Sequence, residues 1–345
     1  MIITTTIAIY SVLTILTNIG NKSFENMGRF IKKSGDTIRR ILRPGEDSLK
    51  LSQAIAQKMF AGKKVLYVPI DETKVNKVFS KMMEGASWLF DTKIGRRINA
   101  YKLIVGAVSD GKFTVPLNAA LTFGKDFYPD PKKALLITVQ LFVKTAQALF
   151  PGVKIIATLD GAFATIEVLS WALENKIAME LRMHSNRVVE HKGKRVKIRD
   201  IKGLHPKGRQ MARTIQVTWN GLYLHLTAVR RFDKHNNETI VYQVATYQAK
   251  PSQHALAYKN RWGIEKLFRT TKQTLGLQEC FSTKIVTQYN HMCAVLLAYA
   301  IAQQEMKKMK YKNPEEAIRA FKKKNHALLN QHMIALDQIN SCTYA

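Results

Sequence analysis

Four side chains in the segment AYKNRWGIEKLFRTTKQTLGLQ, residues 257–278, have the types and spacing for work on a phosphodiester: Tyr258, Arg261, Glu265 and Lys272. On a single α-helix at 100° per residue, Arg261, Glu265 and Lys272 fall within about 60° of Tyr258, on one stripe about 21 Å long. Ile264, Leu267, Phe268 and Leu275 form a neighbouring apolar face that can anchor the helix. Arginine forks onto phosphate, lysine acts as a point charge and tyrosine donates one hydrogen bond. The one acid among them is left to hold a cation.

Two further acids end apolar, β-rich runs: Asp71 in KKVLYVPIDET and Asp160 in VKIIATLD. A strand fixes the Cα while its terminal side chain emerges at an open edge, so such acids suit catalysis. If Glu265 faces both aspartates, three carboxylates converge, the donor set that Mg²⁺ takes together with water and phosphate oxygens. Asp160 heads DGAFAT, where capping the following helix is the competing role. Glu72 points to the other side of a continuing strand and is left out.

The chain must position these groups within 345 residues, enough for one large or two modest domains, with ordinary 46% hydrophobic content. Its 54 Lys and Arg against 25 Asp and Glu leave a net charge of +29, which favours a polyanionic partner. Between Arg182 and Arg213 lie eleven basic residues and two acids, Glu190 and Asp200, a density suited to tracking DNA. Arg182, Arg187, Lys194, Arg195, Lys197 and Arg199 are the expected contacts.

Cys280, Cys293 and Cys342 form no CxxC and no paired framework, and the nine histidines have no metal-ligand spacing, so a reduced cytoplasm is expected. His184, between Arg182 and Asn186, is the histidine nearest the expected site. The opening MIITTTIAIYSVLTILTN lacks a basic leader and carries several hydroxyl residues, favouring a buried segment over a membrane span. No other uncharged run is expected to cross a bilayer.

Residues 1–60 read as a small helical region, with Ser34 or Asp36 starting one helix, Pro44-Gly45 stopping it, and a helix-turn-helix as one possible use. Residues 61–186 read as three neighbouring strands, a helix over 131–149, the strand before Asp160, a helix over AFATIEVLSWALENK and a strand at MELRMHSN. That order predicts an α/β, RNase H-like mixed sheet flanked by helices. Residues 187–250 break the rhythm with short alternating strands, a β-rich insertion, and residues 251–345 return to helices.

With Asp71, Asp160 and Glu265 in this order, and Tyr258, Arg261, Glu265 and Lys272 spelling Y-x2-R-x3-E-x6-K, the chain resembles the cut-and-paste DDE transposases of bacterial insertion sequences. The closest group is the insertion-sequence-four family with its YREK signature. The resemblance covers roughly residues 60–310 and accounts for the insertion within the 105 positions from Asp160 to Glu265. It implies that Asp71, Asp160 and Glu265 bind Mg²⁺, with Mn²⁺ as a substitute, and that Tyr258, Arg261 and Lys272 hold the backbone at a transposon end. It also implies inverted-repeat and target DNA as partners, a homodimer in the synaptic complex, a hairpin intermediate and no membrane. Trp219, and after it Trp262, are the aromatics expected to stack on an extruded base. A related nuclease that cuts without joining, and a DNA-binding remnant without catalysis, are the alternatives.

Overall fold

The computed structural model describes residues 12, 14–16, 18, 22–30, 32–42, 44–78, 80, 82–91, 94–122, 130–233 and 235–323. Most of the apolar opening and the chain after residue 323 lie outside them. Val12, Ile15 and Leu16 are buried.

After the helical residues 12 and 14–16 come three helices, α1 (Phe24–Phe30), α2 (Gly35–Ile41) and α3 (Gly45–Phe60). Ser34 caps α2 by accepting from the Thr37 N–H at 3.2 Å, one of the two starts expected. Pro44 is the N-cap of α3, so Pro44-Gly45 begins a helix as well as separating two. The first two helices pack closely because a Cβ on Gly28 or Gly35 would press on backbone atoms at 2.6 and 2.9 Å. Helix α3 packs along the core rather than standing apart.

Among the described residues eleven strands form one sheet, in the order β2-β3-β1-β5-β6-β11-β10-β9-β7-β8, with β4 also on β3. They are β1 (Val65–Asn76), β2 (Ser87–Asp91), β3 (Arg96–Ser109), β4 (Thr114–Thr122), β5 (Lys154–Leu159), β6 (Ala178–Met183), β7 (Val188–His191), β8 (Lys194–Lys197), β9 (Ala212–Trp219), β10 (Leu222–Phe232) and β11 (Glu238–Ala245). Strand β1 is central, antiparallel to β3 and parallel to β5, and β5 runs parallel to β6. Parallel neighbours need a crossover, supplied by α4 (Pro131–Leu149) and α5 (Ile166–Glu174). This is the expected α/β mixed sheet flanked by helices, an RNase H-like arrangement.

The β-rich insertion is not a separate sheet. Strand β11 joins β6 antiparallel, with Tyr242 opposite Met183 and Ala245 opposite Glu180, so β9–β11 extend the central sheet. Alternation in the sequence marks strands but carries no statement of which edge they join.

Helix α4 covers the face of the sheet opposite Asp71: Gly106, paired with Ile70, leaves room for Phe142, whose ring a Cβ there would meet at 2.5 Å. Helices α6 (Pro251–Lys259) and α7 (Trp262–Gln273) cover the Asp71 face. The long helix α8 (Ile285–Met309) corrects the expectation of no further membrane-length run: by length and composition it is apolar enough to span a bilayer. Its apolar window is 67% buried inside the protein. Its buried Gln288 and His291 bond the Cys280 and Gly276 carbonyls, each at 2.9 Å, as in the core helix of a globular domain.

Candidate active site

Asp71 is not at a strand end, as the sequence suggested, because β1 continues five residues further on β3 alone. What ends near Asp71 is the parallel pairing with β5, whose last pair is Ile70 with Leu159. Asp71 and Asp160 each follow that pair, so they come level with each other at the edge where β5 leaves β1. Glu72 faces the other side and pairs with Lys102 at 2.5 Å.

Asp160 occupies the N-cap position of a 3₁₀ turn at Gly161–Phe163 but makes no side-chain cap bond. Thr165 caps α5 instead, accepting from the Val168 N–H at 3.3 Å. The capping role that competed for Asp160 is thus taken by another residue. Its Oδ1 faces the Tyr258 hydroxyl, which donates to it at 3.5 Å.

The stripe is built differently from the single helix expected. Helix α6 ends at Lys259 and α7 begins at Trp262. The junction stays right-handed and closes with i to i+3 bonds: Arg261 N–H to Tyr258 O, Gly263 N–H to Asn260 O and Ile264 N–H to Arg261 O, at 3.0–3.2 Å. A 3₁₀ turn has three residues per turn, so positions i and i+3 eclipse. Arg261 accordingly lies over the Tyr258 ring, 5.4 Å from its centroid.

From there the Arg261 guanidinium bridges two acids: Nη1 donates to Asp71 Oδ2 at 2.7 Å and Nη2 to Glu265 Oε1. Arg261 is only 9% exposed. Burial pushes the Asp71 carboxyl up to about 6 and the Asp160 and Glu265 charges add to that, while Arg261 and the Glu72 N–H pull it down. Burial likewise pushes the Tyr258 hydroxyl up to about 12, so it is a donor at neutral pH. Asp71, Asp160, Tyr258, Arg261 and Glu265, from four elements, thus form one connected polar site.

Asp71 and Glu265, two of the three acids expected to bind metal, are here joined through Arg261. Among the described residues no group of three or more His, Cys, Asp or Glu side chains stands ready to hold a metal ion. The physical reason is Arg261, whose positive charge stands between two of the carboxylates. The hard oxygen donor set still suits a hard divalent cation, provided the guanidinium gives way.

Gly263 lets α7 press onto β4, since a Cβ there would lie 2.2 Å from Thr114 Oγ1, itself buried and bonded to Ser109. Gly263→Ala is expected to destabilise the fold by about 1–3 kcal/mol through overpacking, read from urea denaturation. An unchanged midpoint would mean that Thr114 moves aside without cost.

The remaining expected residues are spread. Lys272 is half-buried on α7, two turns beyond Glu265. Arg182 is exposed on β6 and acts electrostatically on Tyr258. His184 flanks Asp160, its Nε2 being 3.2 Å from where a Cβ on Gly161 would sit. Lys194, Arg195 and Lys197 on β8, and Arg199 after it, are exposed at the far edge of the sheet.

Trp219, expected to stack on an extruded base, is 5% exposed, its ring lying under the half-buried Arg187 guanidinium at 5.3 Å, so in this structure its face is not open for stacking. Trp262 is 54% exposed beside Arg261. Position in the sequence cannot separate the two; burial does.

Sequence reasoning missed Glu180 on β6 and His254 on α6, both fully buried, where the His254 Nδ1 meets Glu180 Oε1. Burial raises the Glu180 pKa while His254 opposes it. This pair ties the helix that carries Tyr258 to the sheet. The only signal was a glutamate set between two apolar residues, Met179 and Leu181, in MELRM.

A family model described as a transposase DDE domain matches residues 68–301, about two-thirds of the chain. No curated protein matches the sequence. Among solved structures, the cryo-EM structure of a piggyBac transposase synaptic complex with hairpin DNA is similar with a TM-score of 0.54 at 13% identity. The match covers 96% of this chain and 72% of that one, a likeness of fold.

Proposed function

The chain belongs to the DDE-domain transposase family, and from that premise we propose that it is a cut-and-paste DNA transposase of the insertion-sequence-four type. It would cleave a phosphodiester at each element end and join the freed 3′-hydroxyl to target DNA. The observation that carries this is the linkage of Asp71, Glu265 and, through Tyr258, Asp160 around one arginine where β5 leaves β1. A DNA-binding remnant has no use for three acids clustered at a cost in burial.

Asp71, Asp160 and Glu265 would hold Mg²⁺, or Mn²⁺ in its place. When bound, the ion supplies Lewis-acid activation of the attacking water or hydroxyl and neutralises charge at the scissile phosphate. Arg261 is a bidentate donor already aimed at anionic oxygen, so an incoming phosphate can take it over from the carboxylates. Tyr258 donates one hydrogen bond beside it, and Lys272 adds a charge further along the same helix. Positioning of this kind, with charge stabilisation, accounts for most of phosphoryl-transfer catalysis.

A cavity beside Tyr258 and Arg261, of 670 Å³, has Met211, Phe232, Leu256 and Trp262 as exposed apolar lining. It is large enough for a base, which supports extrusion of a nucleotide as in a hairpin pathway. The homodimer, and action on chromosomal DNA in a bacterial cytoplasm, belong to the same reading. Residues 1–60 would contribute to end recognition, residues 61–186 and 251–345 would form the catalytic core, and residues 187–250 the DNA-tracking insertion.

Supercoiled donor DNA carrying the element ends, incubated with Mg²⁺, tests the assignment: cut ends joined to a target plasmid are expected. Cutting without joining would favour a nuclease, and binding without either a remnant. Neutralising Lys194, Arg195, Lys197 and Arg199 together is expected to weaken DNA binding and flatten its salt dependence by about 0.9 for each phosphate no longer neutralised. An unchanged slope would make these charges guards of an exposed sheet edge.

A further inference from the structure

On another side of α7 from the acids lies a cavity of 500 Å³ that the catalytic reading does not use. Lys112 from the β3–β4 turn, Lys259 at the end of α6, Lys266 and Arg269 on α7, and Lys312 after α8 all line it and are all exposed. Its one carboxylate, Glu315, accepts from Thr270 Oγ1 at 2.5 Å. Among the described residues none of the five cations has an acid within ion-pair distance. Concave walls of one sign focus the potential, and like charges brought together by four separate segments call for an anion.

The shape selects the anion. From Lys259 to Arg269 the basic side chains extend over about 15 Å of helix, a line that spans several phosphates of a strand, where a single phosphate would need two or three convergent donors. Trp262 stands on the ridge between this cavity and the one beside Tyr258 and Arg261, and Lys259 lines both. A strand leaving the acid site can therefore continue into the basic cavity without a break.

We propose that this cavity binds the phosphodiester backbone of DNA next to the bond being cut, on a track separate from the Arg261–Lys272 stripe. The proposal rests on DNA being this chain's substrate, but not on the metal chemistry. Its test is therefore one of binding. Lys112→Ala/Lys312→Ala removes two charges on segments away from the acids, and Lys112→Glu/Lys312→Glu reverses them. Thermal melts verify folding.

With random-sequence duplex oligonucleotides, the log–log salt slope is expected to fall by about 1.8 in the alanine pair, about 0.9 for each phosphate released. The glutamate pair should fall further. Inorganic phosphate, titrated separately, should bind weakly if at all. An unchanged duplex slope in both pairs overturns the proposal. So does tight inorganic phosphate binding that the variants abolish while the DNA slope stays the same, which would define a small-anion pocket. The insertion variant run in parallel separates the failures: if it lowers the slope and the cavity variants do not, only the cavity proposal falls. If none changes the slope, DNA as the partner falls with it.

Discussion

Replacing Asp71, Asp160 or Glu265 singly with alanine is expected to reduce strand cleavage by more than about a hundredfold, while duplex affinity stays within about twofold. Loss of one oxygen donor opens the cation site but leaves the basic surface untouched, and affinity for DNA is carried mainly by that surface. Gel shifts beside Mg²⁺-dependent cleavage on labelled ends measure both. Any one of the three variants cutting at the wild-type rate would remove its residue from the catalytic set. Asp160 is the most informative of them, because its carboxylate is tied to the site by a single long bond from Tyr258.

Arg261→Ala is expected to separate catalysis from metal binding in an unusual direction. In wild type the guanidinium bridges Asp71 and Glu265, so a cation must displace it. Removing it leaves two partly buried carboxylates without their counter-charge, which lowers stability in the absence of metal. Added Mn²⁺ or Mg²⁺ should then raise the melting temperature more than it does in wild type. Cleavage should nevertheless fall by about a thousandfold, the effect of losing an arginine that stabilises charge in phosphoryl transfer. Lys272→Ala should also impair cleavage, and Lys272→Arg less so because the charge survives. A smaller metal-induced shift in Arg261→Ala than in wild type would mean that the arginine organises the carboxylates rather than competing for them. Wild-type cutting and joining by both alanine variants would reduce the stripe to a solvated helix face.

The residues of the site were legible in the chain itself. Three acids in order, a tyrosine, arginine, glutamate and lysine at fixed spacing, strand and helix periodicities, and a charge of +29 are all carried by residue type and by neighbours a few positions apart. Such local patterns survive without a fold, because helix and strand periods are properties of a short stretch of backbone. The expected strands and the helix over residues 131–149 accordingly match the structure.

Only the tertiary structure decided how those residues meet. That Asp71 comes level with Asp160 depends on the register of β1 against β5, set by packing between segments some ninety residues apart. That Arg261 reaches both Asp71 and Glu265 depends on a 3₁₀ junction, where a uniform helix was expected. Which tryptophan faces solvent, which sheet the insertion joins, and the burial of Glu180 with His254 likewise appear in no local pattern. Periodicity says which side of an element is apolar. What lies against that side, and which charges are then forced to share a small volume, is settled only when distant segments close on one another.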